Sequence, residues 1–430
     1  MAKKSAAATS HLPLNGSERE MLLRSIYDRV EAEPPLGERY PVLLRRLIAT
    51  AIDESGIHLS KEDVETLADD LFGYVASYGP IQPFLEDPEV SEVMVNGPDQ
   101  VFIEKRGEMV LTDVKYDSNE HVRFAINHVI NPLGRYVNAR RPLIDSRLPD
   151  GSRVNAIIPP ASPYWPAITI RRFLKDKLTL EQLIGLGSFT GPIAEFMSVC
   201  VKARINIVVA GNTSSGKTTL LNILAQSIPD NERIVTVEDS AELSLIQTHK
   251  ISLEATQASQ TGEGAVTVRD LVRNCLRMRP DRIIVGEVRG GEAIDMLQAM
   301  NTGHDGSLTT VHSNSPRDTI SRLETMVLMS GLELPVNAIR RQIASAIQMI
   351  IYLTRFPDGT RKLTQVSEIS GMEGDVVTMT DLFQFKQTGV DEKRRIVGTH
   401  RATGLRPSFS PNLEAAGYKL GPMLFSNQGA

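Results

Sequence analysis

Apolar residues change their spacing along the chain, and each change marks a different kind of element. Between Ser17 and Tyr78 the spacing is helical: Leu43, Leu44, Leu47, Ile48 and Ile52 share one face, and Val64, Leu67, Ala68 and Leu71 another. Pro34-Pro35 separates helices here, and Ser60-Lys61-Glu62-Asp63 has the chemistry of an N-terminal cap. Tyr78-Gly79-Pro80 ends the pattern. Alternation then takes over, predicting a hairpin from Glu92–Val95 through Asn96-Gly97-Pro98-Asp99 to Val101–Glu104. A second turn at Arg106-Gly107-Glu108 leads into Met109-Val110-Leu111. Asn119 to Ile130 predicts a helix. Arg153–Ile158 predicts a strand after the turn Pro149-Asp150-Gly151-Ser152, and Ala167–Ile170 another after a proline-rich loop. This mixed module ends near Phe173, and Leu178–Leu186 reads as a short helical connector.

From Phe189 onward, short wholly apolar runs alternate with helical patterns, which predicts a parallel sheet wrapped by helices. Its strands are expected at 205–210, 234–237, 283–285 and 308–311. Beyond Asp358, Gly-rich turns and alternating residues suggest a small appended β element. The expected layout is a disordered tail (1–16), a helical region (17–78), an α+β domain (79–175), a linker (176–188), a mainly parallel α/β domain (189–357) and the appended segment (358–430).

Composition narrows this picture only at a few points. At 430 residues the chain exceeds what one core usually serves. A net charge of −5 and 5% aromatics argue against a nucleic-acid binder with a basic, base-stacking face. Cys200 and Cys275 lie far apart without metal-ligand spacing, as expected of buried thiols in a reducing compartment. No apolar stretch approaches the ~18 residues of a membrane span, and the opening residues lack the apolar segment of a secretory signal. A cytoplasmic protein is expected.

The chemistry begins at Gly211-Asn212-Thr213-Ser214-Ser215-Gly216-Lys217-Thr218, which matches G-x-x-x-x-G-K-[ST] between a buried strand and a helix that opens with Thr219. Such a loop turns its backbone N–H groups inward, and the following helix adds its positive end. Lys217 supplies a charge for the β/γ-phosphates, and the Thr218 hydroxyl can ligate Mg²⁺. ATP and Mg²⁺ are therefore the expected ligands. Phosphoryl transfer also needs a carboxylate, a group that orients water, and positive charge on the transferring phosphate. Glu287 follows the strand Ile283-Ile284-Val285, as a metal or water ligand or simply as a partner of Arg289. Glu238 follows Val235-Thr236-Val237, with Asp239 and Glu242 as lesser candidates. His304 and His312 flank a fourth strand, His312 as a candidate γ-phosphate sensor. Arg269, Arg273 and Arg277 share a helix face that reads as solvated or subunit-facing. Arg171, Arg172, Arg147 and Arg153 in the α+β domain are candidate arginine fingers acting in trans.

These pieces in this order resemble the secretion and pilus-assembly ATPases of type II and type IV systems. The loop Gly211–Thr218, the acidic box Glu238–Leu243, the stretch Arg279–Arg289 and the histidine box Thr302–His312 carry the likeness. Tyr78-Gly79-Pro80-Ile81, Val93–Pro98, Ser146–Asn155 and Thr403-Gly404-Leu405-Arg406-Pro407 are similar to the CpaF type of tight-adherence (Tad) pilus ATPase. One departure is Ser214-Ser215, where a glycine often stands at one of the two positions. The resemblance implies a RecA-like ATPase domain, a homohexameric ring and ATP held between the α+β and RecA-like domains. It implies docking on an inner-membrane platform protein at the inner face of the cytoplasmic membrane, to extend or retract a pilus. It also implies that Glu287 is the catalytic carboxylate and that arginines of the α+β domain reach the phosphates. The alternatives are a RecA-like nucleic-acid translocase, and a scaffold that binds ATP without turnover.

Overall fold

The computed structural model describes residue 14 and residues 16–105, 107–172, 178–256, 264–392 and 394–426. Most of the expected tail, the turn residue Arg106 and the module end near Phe173 lie outside them. The chain divides into two compact units, Met1–Lys175 and Asp176–Ala430.

The first unit opens with three helices, α1 (Gly16–Ala32), α2 (Tyr40–Glu54) and α3 (Lys61–Val75). Ser60 caps α3 by accepting from the Asp63 amide at 3.2 Å. Their apolar faces meet around Leu22, Ile26, Leu44, Ile48, Leu67 and Leu71. After a short helix α4 (Gln82–Glu86), the chain forms β1 (Val90–Asn96), β2 (Val101–Lys105) and β3 (Glu108–Leu111). Then come α5 (Asn119–Ile130), β4 (Leu143–Arg147), β5 (Arg153–Ile157) and β6 (Ala167–Arg171). The six strands make one antiparallel sheet in the order β3-β2-β1-β6-β5-β4. One face of α5 packs on this sheet, while Phe124 on its other side enters the core of the three helices. Helices and sheet are thus parts of one unit.

The second unit opens with α6 (Leu180–Gly185) and α7 (Gly191–Lys202), followed by β7 (Ile207–Gly211) and α8 (Lys217–Ala225). It continues with β8 (Ile234–Glu238), β9 (Lys250–Glu254), α9 (Val268–Cys275), β10 (Arg282–Val288) and α10 (Glu292–Asn301). β11 (Leu308–His312), α11 (Pro316–Leu328), α12 (Val336–Ala346) and β12 (Met349–Arg355) complete the parallel part. β13 (Arg361–Glu373), β14 (Val376–Val390), β15 (Ile396–Ala402) and α13 (Ser410–Ala415) follow. The order is β15-β14-β13-β12-β7-β11-β10-β8-β9, parallel from β12 to β9 and antiparallel from β12 to β15. Both faces are covered: Ile207 and Val209 of β7 belong to one core, Val208 and Ala210 to the other. Residues 361–402 therefore continue the central sheet rather than forming a separate element.

Two buried ion-pair networks tie elements of this unit together. Arg282 is fully buried and forks onto Glu232, Nε to Oε2 at 2.5 Å and Nη2 to Oε1 at 3.3 Å. Its Nη1 donates to the Val201 and Gly306 carbonyls at 2.9 and 3.1 Å. A methyl group on Gly306, whose φ is +78°, would overlap that guanidinium. Arg269 and Arg273 are not a free face: their Nε atoms donate to the two oxygens of buried Asp295 at 2.8 and 3.0 Å, tying α9 to α10. Both cysteines are free and buried.

Candidate active site

The C-terminal ends of β7, β8, β10 and β11 converge, as ligand-binding ends of open α/β sheets do. Register sets the arrangement, with Gly211 paired to His312 of β11 and to Leu353 of β12. A Cβ on Gly211 would lie inside contact distance of the Leu353 carbonyl and 2.7 Å from Ser215 Oγ, so only glycine fits. The loop then turns through Ser214, whose φ of +57° lies in the left-handed region, and Gly216, at φ +94°. This conformation explains why glycine suits the Ser214 position. Asn212, Thr213, Ser214 and Ser215 span the turn, and the buried Ser215 hydroxyl has no hydrogen-bond partner among the described residues.

Lys217 opens α8, with Thr218 and Thr219 half-buried behind it. Its Nζ donates to the Asn212 carbonyl at 3.0 Å and lies 3.3 and 3.4 Å from the two ring nitrogens of His312. Burial, and next the Lys217 charge, hold the His312 pKa below its usual value, favouring the neutral ring. Across from it, His312 Nε2 is 3.2 Å from Glu287 Oε1, while Glu287 Oε2 accepts from Arg289 Nη2 at 2.6 Å. Arg289 also approaches Asp239, at 3.9 Å. Glu287 is therefore both an ion-pair partner of Arg289 and a neighbour of the lysine–histidine pair.

A bulge aims this carboxylate. Val285 pairs with Thr309 and Val288 with Val311, so Gly286 and Glu287 together oppose Thr310. The Thr310 hydroxyl holds the bulge by donating to the Gly286 carbonyl at 2.7 Å. Glu238, at the end of β8, lies against Gly286, where a Cβ would stand 2.8 Å from Glu238 Cγ. Glu238 Oε1 accepts from the Glu242 and Leu243 amides at 2.9 and 3.0 Å, and Oε2 has no hydrogen-bond partner among the described residues. Burial dominates and raises its pKa from 4.5 to about 7, against the two amide bonds; nearby Glu242 and Glu254 push it the same way. The glycine preceding Glu287 inside a strand was the sequence signal for this bulge.

His304 lies at the opposite end of β11, its Nδ1 3.3 Å from the Ala299 carbonyl. The arginine candidates of the α+β module belong to the first unit. Arg171 ends β6, exposed, across from Glu92 and Arg153. Arg172 is tied within its module, donating to the carbonyls of Asp87 and of Val90, the latter at 2.9 Å. Arg147 Nε donates to the Gly151 carbonyl at 3.3 Å. Sequence reasoning passed over Arg361, whose Nε donates to the Ser214 carbonyl at 2.8 Å. Among the described residues no three His, Cys, Asp or Glu side chains form a metal cage, and no helix is long and apolar enough to cross a membrane.

A parallel sheet with this loop, a lysine at the helix start and carboxylates at neighbouring strand ends defines a P-loop nucleoside triphosphatase. A family model described as "Type II/IV secretion system protein" matches residues 75–403. The chain belongs to this family and is an ATP hydrolase. It is 32% identical over 318 residues to the type IV secretion system protein VirB11 of Brucella suis, covering 67% of this chain and 88% of that protein. It is 33% identical over 292 residues to the conjugal transfer protein TrbB of Rhizobium radiobacter, covering 67% and 86%. The crystal structure of the B. suis VirB11 ATPase with sulphate aligns over 68% of this chain and 94% of that one, with a TM-score of 0.37 and 32% identity.

Proposed function

We propose that this chain is the motor ATPase of a CpaF-type Tad pilus, working as a homohexamer against inner-membrane platform proteins at the cytoplasmic face of the membrane. The observation that carries the catalytic part is the convergence of Lys217, His312 and Glu287, each within 3.4 Å of the next. In this reading Gly211–Thr219 cradle the phosphates and Glu287 polarises the attacking water. His312, neutral and in contact with both Lys217 and Glu287, senses the γ-phosphate. The donor set also suits Mg²⁺: Glu238 Oε2 is buried without a hydrogen-bond donor among the described residues, and Thr218 and Glu287 offer further hard oxygens. Bound there, the ion would neutralise charge developing on the phosphates. Arg171 is the better candidate for reaching a phosphate in trans, because Arg172 is held by its own module. Hydrolysis would then move one domain against the other, driving pilus assembly or retraction, with no nucleic acid involved.

Glu287→Gln should lower kcat about 10²- to 10⁴-fold while ATP still binds, whereas Lys217→Ala should lose binding itself. Wild-type phosphate release from Glu287→Gln would overturn the assignment. In cells, Glu287→Gln should abolish surface pili; loss of DNA transfer with pili intact would favour a conjugal role like that in TrbB's name.

A further inference from the structure

The phosphate loop is braced from outside its own strand and helix. Arg361, first residue of β13, donates from Nε to the Ser214 carbonyl at 2.8 Å, and its Cδ lies 3.6 Å from where a Cβ on Gly216 would be. Ser214 is the loop residue forced into the left-handed region, at φ +57°. Such a conformation costs a non-glycine residue enough to favour an alternative loop shape roughly 5- to 30-fold. A second tie comes from the same hairpin: the Arg355 amide at the end of β12 donates to Asn212 Oδ1 at 3.2 Å. Both ends of the turn are thus fastened to the β12–β13 hairpin, and the Leu353 carbonyl fills the space beside Gly211. The brace lies where the parallel sheet meets its antiparallel extension.

We propose that Arg361 is a positioning residue for nucleotide binding: it holds Ser214 in its left-handed conformation and so keeps the phosphate cradle in shape. The inference rests on the reading of Gly211–Thr218 as the ATP loop. Its energetic content is specific. A glycine at 214 adopts φ +57° without the Cβ penalty, so it should remove most of the need for the brace. The brace and the strain are two halves of one device, and their effects should not add.

The test is a double-mutant cycle read by steady-state ATP hydrolysis and by titration with a fluorescent ATP analogue. Arg361→Ala should raise KM and the analogue Kd about 3- to 10-fold, the worth of one hydrogen bond, with kcat within about twofold. Arg361→Lys, which keeps a donor without the planar fork, should fall between. In a Ser214→Gly background, Arg361→Ala should change KM less than about twofold. An equal rise in both backgrounds would overturn the brace, as would an unchanged KM in Arg361→Ala. A fall in kcat alone would also overturn it, placing Arg361 in the chemistry instead. Lys217→Ala separates the underlying reading: if that protein binds the analogue like wild type, the loop itself is misassigned. Thermal melting of the Arg361 variants should stay within a few degrees of wild type, since Arg361 is exposed.

Discussion

Glu238 and Glu287 show how much of a site depends on surroundings rather than residue type. Both close an apolar strand, and nothing in their sequence context distinguishes their surroundings. The structure gives them different surroundings: Glu287 has Arg289 at 2.6 Å, whereas buried Glu238 accepts, among the described residues, from two backbone amides. In the folded protein Glu238 keeps its proton up to about pH 7, while an unfolded chain releases it near 4.5. The folded state therefore holds more protons in that window, and its stabilising effect is lost as pH rises through about 7. Glu238→Gln should flatten this slope. Between pH 5 and 7.5 wild type should lose stability against the variant, by at most about 3 kcal/mol. Melting curves across that range check it, and parallel slopes would place the proton elsewhere. At this scale the P-loop and the strand-end carboxylates were legible because they are chemistry written in order. The strain at Ser214 was not, since serine carries no mark of a positive φ.

At the scale of elements, β10 shows what alternation alone cannot convey. Its apolar run Ile283-Ile284-Val285 marks the strand, but the strand continues to Val288, and no pattern of apolar residues announces the extra residue opposite Thr310. Gly286 permits both the bulge and the close packing of Glu238. Gly286→Ala would place a methyl 2.8 Å from Glu238 Cγ and 3.2 Å from its Oε1. We expect about 1–3 kcal/mol of destabilisation and, because the carboxylate is displaced, a fall in kcat of about 100-fold. Melting temperature and steady-state kinetics test the two parts separately; an unchanged kcat would remove Glu238 from the reaction. Elements of low contrast escaped the sequence for a common reason. β9 (Lys250–Glu254) is a half-exposed edge strand with polar ends, and β4 (Leu143–Arg147) has only two apolar residues at an edge of its sheet. Neither buries enough on both faces to produce an apolar run.

For the molecule as a whole, the sequence indicated a parallel sheet with helices and a separate module before it. It did not indicate that the last strands extend the same sheet, because pairing between β12 and β13 depends on a hairpin register that composition does not encode. That continuity has a consequence for truncation. Phe196 of α7 packs against Phe383 and Phe425 with ring centroids 5.4 and 5.6 Å away, and Leu363, Val366 and Leu382 share its core. Removing residues 358–430 would strip these from the core and expose the β12 edge. The shortened protein should be insoluble or lack near-UV circular dichroism, whereas a cooperative melt would mean that the segment is dispensable.

The Arg282–Glu232 fork, fitted around Gly306, bears on how tolerance to substitution should be interpreted. A library of single substitutions scored only by survival or ATPase output would rank Gly306 beside Gly211 and Lys217, since any side chain there collides with a buried guanidinium. Paired measurement of cellular abundance would part them: Gly306 variants vanish from the cell, while Lys217 variants persist as inert protein.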